Sequence, residues 1–379
     1  MKVVIASDKF KGSLTSAEVA NAIEEGINLA MPDCEIEKLP VADGGDGTAA
    51  AIIESAGGRW VDVETLDPLG RRINAKFGAI DDNTAVIDVA TASGIALLSP
   101  DEYDPLNASS KGTGIIIREA IKRGFRKFNI GVGGSATNDG GTGILSALGY
   151  RFLDEKGNEL EPCGRSLSRI KEIDDSGRMT ELKDCTFTVM CDVDVAFYGP
   201  KGAAALFGPQ KGATDKIIEA LDNGLQAFAT LLKRKYGKHV QNQSYTGAAG
   251  GIGGGLWATL NANLTPGIYS MLKMINFENR IADADLVVTG EGRMDNLTLL
   301  GKAPYGVCGE AAWNGIPTIA FVGSVKDSEQ LNEYGFLSVY PIVPRPMSLA
   351  EAMEPKTAYD NLKRTALQVF RTMLIGKKD

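Results

Sequence analysis

The spacing of hydrophobic positions changes character along the chain. Over the first 58 residues it alternates between short apolar runs and helical periods. Lys2–Ala6 and Glu35–Leu39 read as strands, and Thr15–Ala30 repeats its apolar positions every three to four residues, with Thr15 or Ser16 as candidate cap. Thr48–Ala56 reads as a helix stopped by Gly57-Gly58. The last hundred residues repeat this rhythm, with strands at Leu286–Thr289, Thr318–Val322 and Ser338–Ile342 and helices at Lys302–Asn314 and Leu349–Ile375. Strands that alternate with helices pair in parallel through right-handed crossovers. The middle differs: Trp60–Leu66, Ile73–Ile80 and Ala85–Ala90 are closely spaced runs joined by Pro, Gly and Asp, the pattern of an antiparallel meander. More α/β sequence follows, through a long helix at Asp215–Lys235. The expected fold is therefore α/β. A discontinuous Rossmann/flavodoxin-like parallel-sheet domain, residues 1–58 plus 283–379, receives a second α/β domain, residues 59–282, as an insertion. Ligands of such folds sit at the carboxyl ends of strands, and a cleft between the two domains is the expected place for one.

Composition narrows the chemistry. The net charge is −8, and no Lys/Arg-rich run interrupts the mixed acids and bases, so the expected partners include neither nucleic acid nor a membrane. The five cysteines form no C-x-x-C pair and no metal pattern, as in a reducing cytoplasmic compartment. The opening MKVVIASDKF lacks the apolar region of a secretory signal. The single histidine, His239, lies in the polar stretch KYGKHVQNQ, which argues against histidine triads and relays. Chemistry is left to carboxylates, lysines, arginines and backbone amides.

These groups cluster with glycine at predicted strand ends. Ser7-Asp8-Lys9-Phe10-Lys11-Gly12-Ser13 follows the first strand, and Pro40-Val41-Ala42-Asp43-Gly44-Gly45-Asp46-Gly47-Thr48 the second. Each by itself reads equally as a surface turn, since Asp and Gly dominate turns; side by side at neighbouring strand ends they read as a site. Gly131-Val132-Gly133-Gly134-Ser135-Ala136-Thr137-Asn138-Asp139-Gly140-Gly141-Thr142-Gly143 joins a strand, Lys127–Ile130, to a helix, Ile144–Leu148, and has the makings of a phosphate cradle. Cys191-Asp192-Val193-Asp194 ends another strand; Asp192 and Asp194 suit Mg²⁺ or proton transfer, or else cap the turn that follows. Phe207-Gly208-Pro209-Gln210-Lys211-Gly212 comes next without an assigned role. Glu291-Gly292-Arg293-Met294-Asp295, with Gly301-Lys302 beyond it, fits a carboxylate or phosphate clamp, or a salt-bridged surface loop. Gly247–Gly255 serves either close helix packing or approach to a nucleotide. Neither a Walker-type phosphate loop nor the protein-kinase signatures are present.

Taken together, DKFKGS, PVADGGDGT, TASGIALL, NIGVGGSATNDGGTG, FGPQKGA, TGAAGGIGGGL, LVVTGEGRMD and GKAPYGV closely resemble the bacterial type-I glycerate kinase family, in the family's order and over nearly the whole chain. The resemblance implies ATP- and Mg²⁺-dependent phosphorylation of glycerate by a two-domain enzyme, usually at the 2-hydroxyl. Three positions depart from the family's habit: Asp46 and Asp88 stand where Glu is usual, and Asp194-Val195-Ala196 replaces Asn-Pro-Leu. The first two shorten a carboxylate by one methylene.

Phosphoryl transfer asks mainly for charge neutralisation and alignment. On this reading Gly133, Gly134, Ser135, Thr137, Asn138, Asp139 and Gly140 hold ATP. Lys11 meets the transferring or bound anion, Asp192 is general base or Mg²⁺ ligand, and Asp43 and Asp295 share the other acidic roles. Arg293, Lys302, Asp8 and Ser93 bind substrate, Arg293 at its carboxylate, with Glu291 joining Asp192 as a metal ligand. The expected enzyme is cytoplasmic, its partner a small molecule, with a homodimer as the assembly considered. Two rivals have other chemistry. One is a dinucleotide-dependent oxidoreductase using Gly131-x-Gly133-x-x-Ala136 with Asp154. There the helix must start at once, whereas here the loop runs on through Thr137–Gly141. The other is a non-catalytic sensor of sugar acids.

Overall fold

The computed structural model describes residues 1–296 and 298–374. In chain order its strands are β1 (Lys2–Ile5), β2 (Glu35–Lys38), β3 (Arg59–Leu66), β4 (Arg72–Ala79), β5 (Thr84–Asp88), β6 (Lys127–Gly131), β7 (Arg151–Leu153) and β8 (Glu172–Asp174). After them come β9 (Thr186–Cys191), β10 (Asn263–Pro266), β11 (Leu286–Met294), β12 (Thr318–Val325) and β13 (Phe336–Pro341). The chain divides into two compact units. The first holds Met1–Asp43, Ala50–Ala56 and the chain from Ile268 onward; the second holds Gly44–Ala49 and Gly57–Gly267.

The first unit is built on a five-stranded sheet in the order β13-β12-β11-β1-β2, parallel throughout, as the β-α alternation requires. Val3, Ile5, Leu286, Val288 and Phe321 of the sheet form one core with Val19, Ile23 and Ile27 of the Ser16–Ala30 helix and Leu362 and Phe370 of the Pro355–Met373 helix. Each such side chain, fully buried, contributes roughly 1.5–3 kcal/mol. Thr15 starts the Ser16–Ala30 helix with a capping box: its hydroxyl accepts from the Glu18 amide, and the Glu18 carboxylate accepts from the Thr15 amide. Gly26 lets this helix approach the Pro355–Met373 helix closely; a Cβ there would stand 2.5 Å from the Lys363 carbonyl oxygen. The helix expected over Leu349–Ile375 is two helices, Leu349–Met353 and Pro355–Met373. Pro355 has no amide to continue the first, and the Glu354 carboxylate caps the second by accepting from Lys356 and Thr357. Ile375 lies outside the described residues.

The second unit carries a six-stranded sheet, β10-β9-β6-β5-β4-β3. β3, β4 and β5 form the antiparallel meander, and β5, β6, β9 and β10 are parallel. β7 and β8 pair apart from it as a small antiparallel ribbon. Phe77, Ile87, Ile116, Phe128, Ile130, Leu145, Phe228 and Leu256 lie in its main core. Phe128 and Phe187 stack there with ring centroids 5.0 Å apart. The predicted helix near Asp215 spans Asp215–Tyr236 and ends on Gly237 in the left-handed conformation, φ 68°.

Candidate active site

Because the first unit's strands are parallel, the carboxyl ends of β1, β2 and β11 share one edge, and most of the expected acids and bases of this unit are there. The segment after β1 is lashed to β11: the Asp8 amide and the Ser7 hydroxyl both donate to the Gly290 carbonyl, at 3.0 and 3.1 Å. The Val41 amide donates to the Ser7 carbonyl, which binds the segment after β2 to the same place. Asp8 is thereby buried, 7% exposed. Loss of hydration holds its carboxyl well above the usual carboxylate range, the Asp43 charge pushes the same way, and the Lys9 amide donating to Oδ1 opposes them. A buried acid with a neighbouring acid is a good proton acceptor.

Glu291, in β11 opposite Val322, is also buried. Burial pushes its carboxyl up, against the pull of Lys302 and Thr298. The Thr298 hydroxyl donates to Oε1, and Lys302 Nζ lies 3.2 Å from Oε2. Each carboxylate oxygen of Glu291 thus already accepts from a side chain that follows β11, and Lys302, expected at the substrate, is paired with Glu291. Arg293 is different. Its side chain is 69% exposed, and its Nε pairs with the Asp295 carboxylate at 3.0 Å, which leaves the two terminal nitrogens of the fork for a carboxylate. Lys11 is exposed on the turn closed by Gly12.

In the second unit the parallel strands β5, β6 and β9 likewise end at one edge. The Gly131–Gly143 segment leaves β6 there and Asp192 leaves β9 beside it. The loop is held from three sides. Ile95 donates to Gly134 and Ala136 donates to the Ser93 carbonyl. The Gly133 amide donates to the Gly44 carbonyl. The Gly140 amide donates to the Gly250 carbonyl, which a left-handed turn at Ala249, Gly250 and Gly251 presents to it. The glycine-rich 247–255 segment therefore packs against the loop. Gly134 is the exposed tip and has φ 74°.

Asp139 is fully buried, its carboxyl pushed up by burial while amides of Ser110, Gly141 and Gly143 and the Ser110 hydroxyl donate to it. These bonds tie the Gly131–Gly143 loop to Ser110. Ser93 is buried as well, its hydroxyl 2.7 Å from that of Thr113. Asp88 accepts from the amides of Gly47 and Ala49 at the start of the Thr48–Ala56 helix, so its shortened side chain acts on the loop it caps. Asp194 accepts from the Tyr245 amide, and Asp46 is exposed.

Lys211 is the group that the sequence did not single out. It is 3% exposed, and its ammonium donates to the Ser135 hydroxyl at 3.1 Å and to the Thr137 carbonyl at 2.7 Å. A lysine between Pro-Gln and Gly reads as surface, and no local pattern reveals its burial.

The chain matches the glycerate kinase family model over residues 3–374. It is similar to a glycerate kinase of Bacillus subtilis, 41% identical over 379 residues, covering 100% of this chain and 99% of the relative. It is similar also to a glycerate 2-kinase of Escherichia coli, 41% identical with 100% of both chains covered. A solved chain from Salmonella typhimurium, described as a glycerate kinase 2, is 42% identical and superposes with a TM-score of 0.87, covering 100% of this chain and 99% of that one.

Proposed function

The chain belongs to the glycerate kinase family, and from that premise we propose that it transfers the terminal phosphoryl group of ATP to a hydroxyl of D-glycerate, with 2-phosphoglycerate favoured over 3-phosphoglycerate. The observation that carries this reading is the first unit's strand edge, where a proton-accepting carboxyl, Asp8, follows β1 and is hydrogen-bonded through its amide to Gly290 of the neighbouring β11, the strand that bears an exposed, tethered guanidinium, Arg293. A hydroxy acid needs those two groups. Asp8 takes the hydroxyl proton as the oxygen attacks phosphorus, Arg293 grips the carboxylate, and Lys11 and Asp43 set the local charge. In the second unit the Gly133–Gly140 loop receives the phosphates through backbone amides and the left-handed turn at Gly134.

Mg²⁺ accompanies ATP in this chemistry, binding through one or two carboxylates together with the phosphates and neutralising their charge. Asp192 fits that need: it leaves β9 next to the phosphate loop, and after burial its charge is the next cause raising the neighbouring Cys191 thiol. Among the described residues no three such side chains are grouped to hold an ion by themselves, so the phosphates would complete the set. No helix of the described residues is long and apolar enough to cross a membrane. All five cysteines are free, which supports a reducing, cytoplasmic setting.

Incubation with ATP, Mg²⁺ and D-glycerate is expected to give glycerate-dependent ADP. The product's phosphorus resonance should split as a doublet from the single hydrogen on carbon 2. Oxidation of hydroxy acids with NAD and no ATP consumption would overturn the reading. Arg293→Lys keeps the charge and loses the planar fork, so the KM for glycerate should rise about tenfold or more while kcat and the KM for ATP move little. If the KM for ATP rises instead, Arg293 belongs to the phosphates.

A further inference from the structure

Burying an ammonium is costly unless a charge or a set of strong acceptors compensates it. Lys211 is 3% exposed, makes no ion pair among the described residues, and has two neutral acceptors, the Ser135 hydroxyl and the Thr137 carbonyl. Holding these two atoms needs only a neutral amide of similar length, so the charge calls for a separate reason. Both acceptors lie in the loop whose tip is Gly134. Beside them, the Thr137 hydroxyl and both ends of the Asn138 amide are fully buried without a hydrogen-bond partner. The loop thus carries three unpartnered polar atoms in the residues that hold one buried cation or adjoin them.

We propose that Lys211 is a positioning residue of the phosphate loop, which fixes Ser135 and Thr137 from below and supplies the positive charge that bound nucleotide phosphates require. This rests on the loop's assignment to ATP. Burial lowers the ammonium to about 8, and the carboxylate of Asp139, the charged group acting on it, pulls the other way. An anion on the loop stabilises the charged form, so MgATP binding near that pH draws a proton onto Lys211.

Calorimetric binding of MgATP at pH 8, in two buffers of different ionisation enthalpy, measures that proton. The native protein should take up a sizeable fraction of one, on the order of half. Lys211→Gln keeps a donor of similar reach without charge; it should abolish the uptake and weaken MgATP about tenfold or more, with glycerate binding unchanged. A folded Lys211→Gln protein with native MgATP affinity and native uptake overturns the proposal. If that variant does not fold, the native protein decides, since the absence of proton uptake at pH 8 overturns the proposal equally. Gly134→Asp and Gly134→Asn, both tolerant of the left-handed tip, separate the two layers. If they bind MgATP equally, the loop does not hold phosphates, and the assignment beneath the proposal fails. If the Asp variant binds far more weakly while Lys211→Gln is unchanged, only the Lys211 proposal fails.

Discussion

Asp8→Asn is expected to yield a protein that melts higher than the native one and is nearly inactive. Asn preserves the shape and the acceptor for the Lys9 amide at 2.7 Å, but cannot take a proton. A general base typically contributes about 10²–10⁴-fold, so kcat should fall by that order while the KM for ATP holds. The stability change has the opposite sign. Asp8 is held well above its ordinary value, first by burial and then by Asp43. The folded state therefore keeps the proton to higher pH than the unfolded chain does. Below about pH 4 both states are protonated and the group costs nothing. As pH rises above that value, folding must retain a proton or bury a charge, and stability falls until the pH passes the raised value of the folded state. The variant's advantage should thus be absent at low pH and grow toward neutrality, each unit of displacement corresponding to about 1.4 kcal/mol. Melting curves from pH 3.5 to 8 with matched turnover measurements test both halves. A variant that turns over normally, or melts lower at every pH, sinks the assignment of Asp8.

The second large effect is expected in the 247–255 segment and is read against a control. Gly250 has φ 69°, and a Cβ there would stand 2.1 Å from the Thr137 carbonyl oxygen. Gly255 is an ordinary helical residue, but its Cβ would stand 2.0 Å from the Gly140 carbonyl oxygen. Gly57 has φ 77° with nothing within 4 Å of such a Cβ. Alanine at Gly57 carries only the left-handed strain, about 1–2 kcal/mol. Alanine at Gly255 carries only the overpacking, about 1–3 kcal/mol. Alanine at Gly250 carries both, so it should be the least stable, by about 3 kcal/mol or more. Because Thr137 and Gly140 belong to the loop proposed to hold the phosphates, the substitutions at 250 and 255 should also raise the KM for ATP, and that at 57 should not. Thermal melts and ATP saturation curves of the three variants decide it. Equal melting losses at 57 and 250 would show that the close approach to Thr137 carries no energy.

Much of this molecule is legible in its residues because the controlling interactions are local. Thr15 and Glu18 announce a helix start by their spacing, and the 60–88 stretch announces a meander by its alternation and turns. The order of β-α units implies parallel sheets, whose carboxyl ends then gather Asp8, Asp43 and Arg293 at one edge and the Gly131–Gly143 loop and Asp192 at another. Pro355 is a local signal too, and it breaks the last helix although the apolar period runs across it. What the sequence did not reveal is which polar groups face inward. Asp139, Ser93 and Glu291 have the types and neighbours expected of ligand-binding residues, and no pattern announces their partners within the protein: Ser110 and nearby amides of its own loop for Asp139, Thr113 for Ser93, Thr298 and Lys302 for Glu291. Lys211 is the converse, a residue of surface type buried against Ser135 and Thr137 from 76 and 74 positions away. Periodicity reports which face of an element is apolar. It carries no information on partners brought together by long loops, and burial, charge compensation and proton affinity depend on those partners, so only the tertiary structure decided them.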